Sequence, residues 1–258
     1  MCLIAFNTNS HEKYQLILIA NRDEFYERPT ASAEFWEDRP YILAGRDLKS
    51  LGTWMGLTQE GRIAALTNYR DPKLEKDRNT TRGDIVTSFL SDTLTSSSFL
   101  TMLNTEADQY NGFNIITGTP KQLYYYSNQT KEPYKLKPGT YGLSNHLLNT
   151  PWPKVTSLKN RLNSYLEQAS QIKTDDLFHL LINKEKPPDE DLPSTGIPLK
   201  SEKQLSPIFI ETETYGTRSS TVLLIDYESN VTFIERTFIK GILNKENLFS
   251  FKLKKTSD

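Results

Sequence analysis

The sequence is poor in the features that define several common classes of protein. Its 258 residues include one cysteine, Cys2, so no disulfide can form within the chain and a reducing compartment is expected. The 31 Lys and Arg residues nearly balance 32 Asp and Glu residues, whereas nucleic-acid-binding proteins usually carry a basic excess. No apolar run approaches the roughly 20 residues that span a bilayer. We therefore expect a soluble cytoplasmic protein that neither binds nucleic acid nor inserts into membranes.

Motifs for metal and cofactor binding are also missing. The three histidines, His11, His146 and His179, lie far apart and lack the spacing of metal ligands. The chain has no phosphate-binding P-loop, no glycine-rich dinucleotide motif and no G-x-S-x-G nucleophile elbow. The sequence therefore predicts no metal and no cofactor, and a small molecule is the expected ligand. It does not indicate an oligomeric state.

Hydrophobic patterning divides the chain into runs of strands and runs of helices. Apolar segments at 2–6 and 15–20 predict one antiparallel hairpin, and 53–58 and 62–67 predict a second. Further strands are expected at 113–118, 122–127, 140–144, 207–213, 217–226 and 231–238, and helices at 84–94, 99–107, 153–169 and 174–181. Regular βαβ alternation is missing, which disfavours a parallel sheet. We predict one α+β domain over residues 1–258, with two antiparallel sheets covered by helices.

Residues 184–207 form a long polar segment with five prolines. Proline disfavours both helix interiors and central strands, so little regular structure is expected there. Loops of this length are uncommon in compact domains unless they are functional or disordered. We predict that the segment borders the ligand pocket as a lid.

Cys2 is the sharpest candidate for chemistry. If Met1 is removed, one residue carries both a thiol and a free α-amino group. The reference pKa of an α-amine is near 8, so this amine can accept a proton at neutral pH and serve as the base for its own thiol. The alternative is that Cys2 is a small buried residue of an apolar strand, as free cysteines often are. Its position alone favours that second interpretation.

Four polar residues, Asn21, Arg22, Asp23 and Glu24, directly follow the predicted strand 15–20. An arginine there can orient a thiolate or a substrate carboxylate, and an acidic residue can accept a hydrogen bond from an α-ammonium. Neighbours on a strand face opposite sides, so the inward pair is either Asn21 with Asp23 or Arg22 with Glu24. Arg22 and Asp23 face the same side only if the strand bulges. A solvated strand end with a surface ion pair is the alternative.

Other polar or aromatic residues lie at the ends of further predicted strands. Asn68 and Asn145 can donate to a developing oxyanion, although asparagine is also a common turn residue. Arg218 can meet a substrate anion or remain an exposed cation. Trp54 can line a pocket, but packing in the core or at its rim is the commoner fate of tryptophan.

Taken in order, these motifs resemble the NRDE family, which is the transport-and-Golgi-organization protein 2 homologue family. The segments that carry the resemblance are Met1-Cys2, Ala20-Asn21-Arg22-Asp23-Glu24-Phe25, Gly52-Thr53-Trp54, Leu66-Thr67-Asn68, Gly142-Leu143-Ser144-Asn145-His146, Pro151-Trp152-Pro153-Lys154-Val155 and Tyr215-Gly216-Thr217-Arg218. Each segment is short, but the ordered set covers nearly the whole chain and is specific.

That family is similar to cysteine N-terminal-nucleophile hydrolases such as penicillin V acylase and bile salt hydrolase. The resemblance implies a four-layer αββα sandwich and an amidohydrolase that cleaves a non-peptide C–N bond of a small acylated molecule. The catalytic residues it implies are Cys2, Arg22, Asp23, Asn68, Asn145 and Arg218. We assign ligand-binding roles to Asn21, Glu24, Trp54 and His146. In those hydrolases the arginine and aspartate are three residues apart, whereas here they are adjacent, so the register of residues 21–24 stays open.

The resemblance also implies two other functions. Relatives have been proposed to move haem or to act in acyl-CoA and lipid metabolism, so the same pocket can instead bind haem or an acyl ligand without turnover. Cys2 and His146 are the candidate axial ligands of a haem iron. Animal members are linked to Golgi organisation, but the sequence has no targeting segment or coiled coil to favour a role as a secretory-pathway interaction protein.

Overall fold

The computed structural model describes residues 2–254, which contain thirteen strands in two antiparallel sheets. In chain order the strands are β1 Cys2–Thr8, β2 Tyr14–Phe25, β3 Thr30–Phe35, β4 Ile42–Asp47, β5 Met55–Thr58, β6 Ile63–Asn68, β7 Phe113–Thr119, β8 Gln122–Ser127, β9 Tyr134–Lys135, β10 Gly139–Leu143, β11 Tyr215–Asp226, β12 Asn230–Ile239 and β13 Ile242–Lys252. The first sheet has the order β10-β1-β2-β11-β12-β13, and the second runs from β3 to β9 in sequence order.

Helices cover the outer face of each sheet. They are α1 Arg82–Ser91, α2 Ser96–Glu106, α3 Pro153–Gln168, α4 Thr174–Leu181 and the short α5 Leu199–Leu205. Apolar residues of α1 and α2 pack on the second sheet, and those of α3 and α4 pack on the first. The predicted αββα order of layers is therefore confirmed. Among residues 2–254, no helix is both long enough and apolar enough to cross a membrane.

The alternation of side chains along β1 shows how the layers are built. Ile4 and Phe6 face the space between the two sheets, whereas Leu3 and Ala5 face the helices. Successive residues of a strand point to opposite faces, so a strand apolar at every position is buried on both sides. The structure has this arrangement in β1, where all seven residues are buried.

The space between the sheets changes from apolar to polar at one end of the sandwich. Cys2 pairs with Arg22 of β2, Arg22 pairs with Ser219 of β11, and Ser219 pairs with Thr237 of β12. Directly paired residues share a face of the sheet, so these four side chains form one row across four strands. That row faces the same side as Ile4 and Phe6, but at the end of the sandwich where the apolar core stops.

Some predicted elements differ from those observed. Residues 207–213 do not form the predicted strand, because their pairing with β11 is limited to an isolated bridge between Glu211 and Gly216 and part of their backbone bonds to side chains instead. The Ile208 carbonyl accepts a hydrogen bond from Asn21, and the Ile210 amide donates one to Thr217. Strands β3, β4, β9 and β13 were not predicted. β13 has exposed residues along most of its length, so its sequence lacks the pattern of a buried strand.

Candidate functional site

A cavity of about 350 Å³ opens at the polar end of the sandwich. Its volume lies at the lower end of the range of roughly 300–1,000 Å³ that is usual for small-molecule sites. Six of the residues singled out in the sequence line it: Cys2, Arg22, Asp23, Glu24, Trp54 and Asn68. Much of the remaining wall comes from the segment 76–83, which leads into helix α1. The cavity therefore joins the ends of strands from both sheets to the N-terminal end of a helix.

The Cys2 side chain lies at the inner end of this cavity. Cys2 is the first residue of β1 and is 8% exposed. Burial raises the pKa of its thiol, Asp23 and Glu24 act in the same direction, and the Arg22 guanidinium opposes them. A buried thiol is poorly ionised at neutral pH, so reaction at this sulfur requires a base or a cation close to it.

Arg22 lies beside Cys2 on the same face of the sheet and is held in place by three groups. Its guanidinium stacks over the Trp54 ring, with 4.1 Å between its central carbon and the ring centroid. One terminal nitrogen donates to the Thr30 hydroxyl at 3.2 Å, and the other lies 3.5 Å from an Asp47 oxygen. Arg28 also donates to Asp47, at 2.5 Å. The network fixes a buried cation next to the thiol.

The open question of register in residues 21–24 has a definite answer. Arg22 and Glu24 lie on the cavity face, whereas Asn21 faces the helices. The Asn21 amide donates to the carbonyls of Leu181 and Ile208, both at 2.9 Å. Asn21 therefore anchors the segment after α4 to the sheet and does not line the large cavity, and its role in ligand binding stays a prediction.

Asp23 lies on the opposite face of β2 from Arg22, yet it also lines the cavity. Its carboxylate accepts a hydrogen bond from the Thr217 hydroxyl at 2.8 Å, and the side chain is 1% exposed. A bulge in β11, between Thr217 and Ser219, faces this point of β2. The bulge is in β11 and not in β2, so Arg22 and Asp23 keep to opposite faces of β2.

Arg218 is the extra residue of that bulge, and its side chain does not line the Cys2 cavity. One terminal nitrogen donates to the carbonyls of Phe25, Tyr26 and Arg28, at 2.8–3.1 Å. The residue instead borders a neighbouring cavity on the other side of Trp54. The structure does not support the prediction of Arg218 as a catalytic residue, because a bulged residue leaves the alternation of the strand.

The two predicted oxyanion donors differ in position. Asn68, the last residue of β6, lines the cavity with Cys2. Asn145 is fully buried behind it and donates through its side-chain nitrogen to the Asn68 carbonyl at 2.9 Å. The Asn145 amide thus holds the strand end that presents Asn68, and its direct role as an oxyanion donor stays a prediction.

His146 also lies outside the cavity. Its two ring nitrogens are each 2.9 Å from a hydroxyl, that of Tyr69 on one side and that of Thr150 on the other. The ring packs near those of Tyr69 and Trp152. Both ring nitrogens thus help to fix the loop after β10, and the ligand-binding role of His146 stays a prediction.

The segment 184–207 does not form the predicted lid. None of the described residues that line the Cys2 cavity comes from it, and the mouth is bordered by 76–83. The segment packs instead beside α3, where Glu202 of α5 pairs with Arg70 at 2.8 Å. Both side chains are almost fully buried. The polar, proline-rich segment 184–207, called the strap below, thus packs beside α3 and not over the cavity.

Several residues near the site were not predicted from the sequence. Lys154, Glu202 and Arg70 are charged and buried, whereas the default expectation for such residues is the surface. Lys154 does belong to the Pro151–Val155 motif of the family resemblance, and that motif was the one sequence feature that could have indicated a residue near the site. Among residues 2–254, no group of three or more His, Cys, Asp and Glu side chains is placed to hold a metal ion.

Known proteins resemble this chain in sequence and in fold. A family model for Transport and Golgi organisation 2 matches residues 1–240. The Transport and Golgi organization 2 homolog of Mus musculus is 39% identical over 259 residues, which cover 93% of this chain and 94% of the mouse protein. Transport and Golgi organization protein 2 of Drosophila melanogaster is 29% identical over 265 residues, which cover 92% of each.

Among solved structures, a mutant of conjugated bile acid hydrolase from Clostridium perfringens matches with a TM-score of 0.55 and 7% identity, covering 98% of both chains. At that identity the match concerns the fold, which is that of the N-terminal-nucleophile hydrolases. The family indicated by the sequence motifs is confirmed, and the chain belongs to the Transport and Golgi organisation 2 family.

Proposed function

We propose that the protein is an amidohydrolase that cleaves a non-peptide C–N bond of a small acylated molecule, with Cys2 as its nucleophile. The observation that carries the proposal is the position of Cys2 at the very start of β1, within a cavity that also contains Arg22 and Asn68. The Cys2 thiol thus lies in the same cavity as the cationic Arg22 and the amide-bearing Asn68. The proposal requires removal of Met1, a residue outside the described range.

In the first half of the reaction the thiol is acylated. The Cys2 sulfur attacks the amide carbonyl carbon as its proton passes to the α-amine of the same residue. The oxygen of the tetrahedral intermediate carries the negative charge, which Asn68 and Arg22 stabilise from the cavity walls. The C–N bond then breaks, the α-ammonium returns the proton to the leaving nitrogen, and a neutral amine departs. The product on the protein is a thioester.

In the second half water releases the acyl group. A water molecule attacks the thioester carbonyl and gives a proton to the α-amine, and the same walls stabilise the second oxyanion. The C–S bond breaks, the sulfur regains its proton, and a carboxylic acid leaves. No oxidant or reductant enters the cycle. One residue therefore acts as nucleophile, base and acid, and the cavity positions the substrate.

A non-catalytic carrier of haem or an acyl ligand is the competing function. His146 lies outside the cavity with both nitrogens hydrogen bonded, so Cys2 is the remaining axial candidate from the sequence. A carrier and a hydrolase differ in whether a thioester forms and turns over.

Rapid mixing with p-nitrophenyl esters of short and medium acyl chains separates the two functions. We expect a burst of p-nitrophenolate close to one equivalent per protein, followed by slower steady release, because acylation precedes deacylation. Release at the rate of a protein-free buffer, without a burst, would reject the hydrolase and leave the carrier.

The pH dependence of Cys2 alkylation gives a second expectation. With a residue still attached to its nitrogen, Cys2 has a thiol pKa raised by burial, so its alkylation rate increases steeply through pH 9. A free α-ammonium places a positive charge on the same residue and lowers the thiol pKa, by about one unit or more. Iodoacetamide labelling followed by intact-mass spectrometry measures the alkylation rates of chains with and without Met1 in one sample. Identical pH profiles for the two forms would contradict the proposed thiol–amine pair.

Asn68→Ala tests the oxyanion role. We expect the rate of the p-nitrophenolate burst to fall by about 10²-fold with little change in melting temperature, because a donor of this kind acts mainly in the transition state. The comparison variant is Asn163→Ala, which removes an asparagine of α3 whose side chain bonds Thr140 and Glu167 and does not line the Cys2 cavity. Equal effects of the two substitutions would exclude a specific role for Asn68.

A further inference from the structure

A second cavity, of about 280 Å³, lies on the other side of Trp54 from the Cys2 cavity. Trp54 lines both cavities. The Arg22 guanidinium, which lines the first cavity, donates at 3.2 Å to the hydroxyl of Thr30, which lines the second. The indole ring and this hydrogen bond therefore form a partition between the two cavities. The reaction proposed above gives the second cavity no role.

Strand pairing sets the depth at which side chains enter the second cavity. The row of paired residues that contains Ser219 and Thr237 continues to Lys245 of β13. Glu235 belongs to the next row toward the apolar core, where it pairs with Thr221. Residues two apart on a strand share a face of the sheet and lie about 7 Å apart. Glu235 thus lies at the inner end of the cavity, and Lys245 lies nearer its mouth.

Glu235 is a buried carboxylate with few compensating contacts. The residue is 2% exposed, and one of its oxygens accepts a hydrogen bond from the Ala33 amide at 2.6 Å. The Ser219 hydroxyl lies near the carboxylate, yet it is buried and makes no hydrogen bond of normal geometry to any described residue. Within residues 2–254 no basic side chain forms an ion pair with Glu235. Because a buried charge is costly unless it is paired, the inner end of the cavity is suited to a cationic group.

Two cations border the same cavity without an acidic partner. Arg218 is fixed by its hydrogen bonds to the carbonyls of Phe25, Tyr26 and Arg28, and Lys245 is exposed. Neither side chain forms an ion pair with an acidic residue in the part of the chain that the structure describes. The cavity therefore has an unpaired carboxylate at its inner end and unpaired cations on its border. This arrangement matches a ligand that carries one charge of each sign.

We propose that the second cavity is a binding site for a small amino acid, whose ammonium group pairs with Glu235 and whose carboxylate faces Arg218 and Lys245. Each unpaired charge of the cavity then meets its opposite in a charge-assisted hydrogen bond. Phe238 and Ile239 also line the cavity and supply apolar surface for the carbon chain of the ligand. Cys2 has no part in this site, so the proposal is independent of the hydrolase reaction.

The electrostatics of Glu235 give the site a pH dependence. Burial raises the pKa of the Glu235 carboxyl, and the Ala33 amide, the Ser219 hydroxyl and the charges of Arg22 and Lys245 oppose the rise. An ammonium group bound against the carboxylate favours its ionised form and lowers this pKa. Affinity for the amino acid should therefore decrease as the pH falls through the pKa of Glu235 in the free protein, since the ligand ammonium stays charged over that range.

Amide chemical shifts in ¹H–¹⁵N NMR spectra test binding and locate it. The probes are glycine, β-alanine and γ-aminobutyrate, with butyrate and butylamine as analogues that each lack one charge. We expect at least one of the amino acids to bind about tenfold or more tightly than either analogue, because each analogue loses a charge-assisted contact. The signal of the Ala33 amide, which bonds Glu235, should shift, whereas that of Asn68 in the Cys2 cavity should not.

Three variants test the two ends of the site. Glu235→Gln keeps the size of the side chain but removes its charge, so the amino acids should lose their advantage over butyrate. Lys245→Met removes an exposed cation and should reduce the affinity for amino acids several-fold, and it tests the site even if Glu235→Gln does not fold. The control is Glu246→Gln, which removes an acid from the opposite face of β13 that pairs with Arg236. It should leave binding unchanged.

Three results would overturn the proposal. The first is that none of the five probes shifts the Ala33 signal, and the second is that Glu235→Gln binds every amino acid as tightly as the wild-type protein. The third is a shift of the Asn68 signal in place of that of Ala33, which would locate the ligand in the Cys2 cavity. The measurement is of binding alone, so its result is the same whether or not the esters give a burst.

Discussion

Cys2→Ala should abolish the p-nitrophenolate burst, with a loss of about 10³-fold or more in acylation rate. The substitution removes the sulfur that forms the bond, and no other described residue of the cavity is a cysteine. Losses of this size are typical when a catalytic nucleophile is deleted. The rate is measured by rapid mixing, and the melting temperature is measured alongside it to show that the variant is folded.

Ser219→Ala is the matched control for this variant. Ser219 belongs to the same row of paired residues and is equally small and buried, but it borders the neighbouring cavity and has no part in the mechanism. We expect its burst to be within a few-fold of wild type. A Cys2→Ala protein that still gives a full burst would place the nucleophile elsewhere and refute the proposed function.

Glu202→Ala should cost about 3–5 kcal/mol in the free energy of unfolding, which corresponds to a fall of roughly 6–20 °C in melting temperature. The Glu202 carboxylate is 2% exposed and lies 2.8 Å from the Arg70 guanidinium, which is itself 9% exposed. It also accepts two hydrogen bonds from Thr195. Removal of the acid leaves a buried cation without this counter-charge and releases the strap from the site. Urea unfolding measures the change.

An ion pair in the same strap gives the comparison. Lys203 lies 2.6 Å from Asp189, but both side chains are about half exposed. Exposed pairs of this kind contribute at most about 1 kcal/mol, so Lys203→Ala should change stability little. If Glu202→Ala and Lys203→Ala destabilise the protein equally, the buried pair does not hold the strap.

The layered fold was predictable because it depends on local patterns. Strands buried on both faces, such as 2–6 and 15–20, appear as continuous apolar runs, and the amphipathic helix at 153–169 has its apolar residues on one side. These patterns do not depend on which strand pairs with which. These patterns predict two antiparallel sheets covered by helices, and the family resemblance implies the αββα order of layers, whereas β13, which is mostly exposed, was not predicted.

The site was predictable only in part, because the side of the sheet that a residue faces depends on how its strand pairs with the neighbouring strands. The sequence left Asn21 with Asp23 and Arg22 with Glu24 as equal inward pairs. Pairing between Cys2 and Arg22 decides between them, and it is set by the turn and by the neighbouring strand. The position of Arg218 beside the neighbouring cavity could not be predicted for a related reason, since a bulge in β11 is not visible in the residue pattern.

The buried charges could not be predicted because burial of a polar residue is a tertiary property. Glu202 lies in a polar segment that reads as solvated loop, and only its contact with Arg70 removes it from water. Lys154 is buried for the same reason, since α3 brings it against the first sheet. A charged residue enters the interior when partners from distant parts of the chain meet it there.

The proposed function requires a mature chain that begins at Cys2 and a Cys2 sulfur that becomes acylated. Mass spectrometry of the protein quenched during the burst tests this directly, with peptide mapping of the labelled N-terminus. We predict a peptide that starts at Cys2 and carries one acyl group as a thioester that hydroxylamine removes. A chain that retains Met1, or that carries the acyl group on any other residue, would contradict the account.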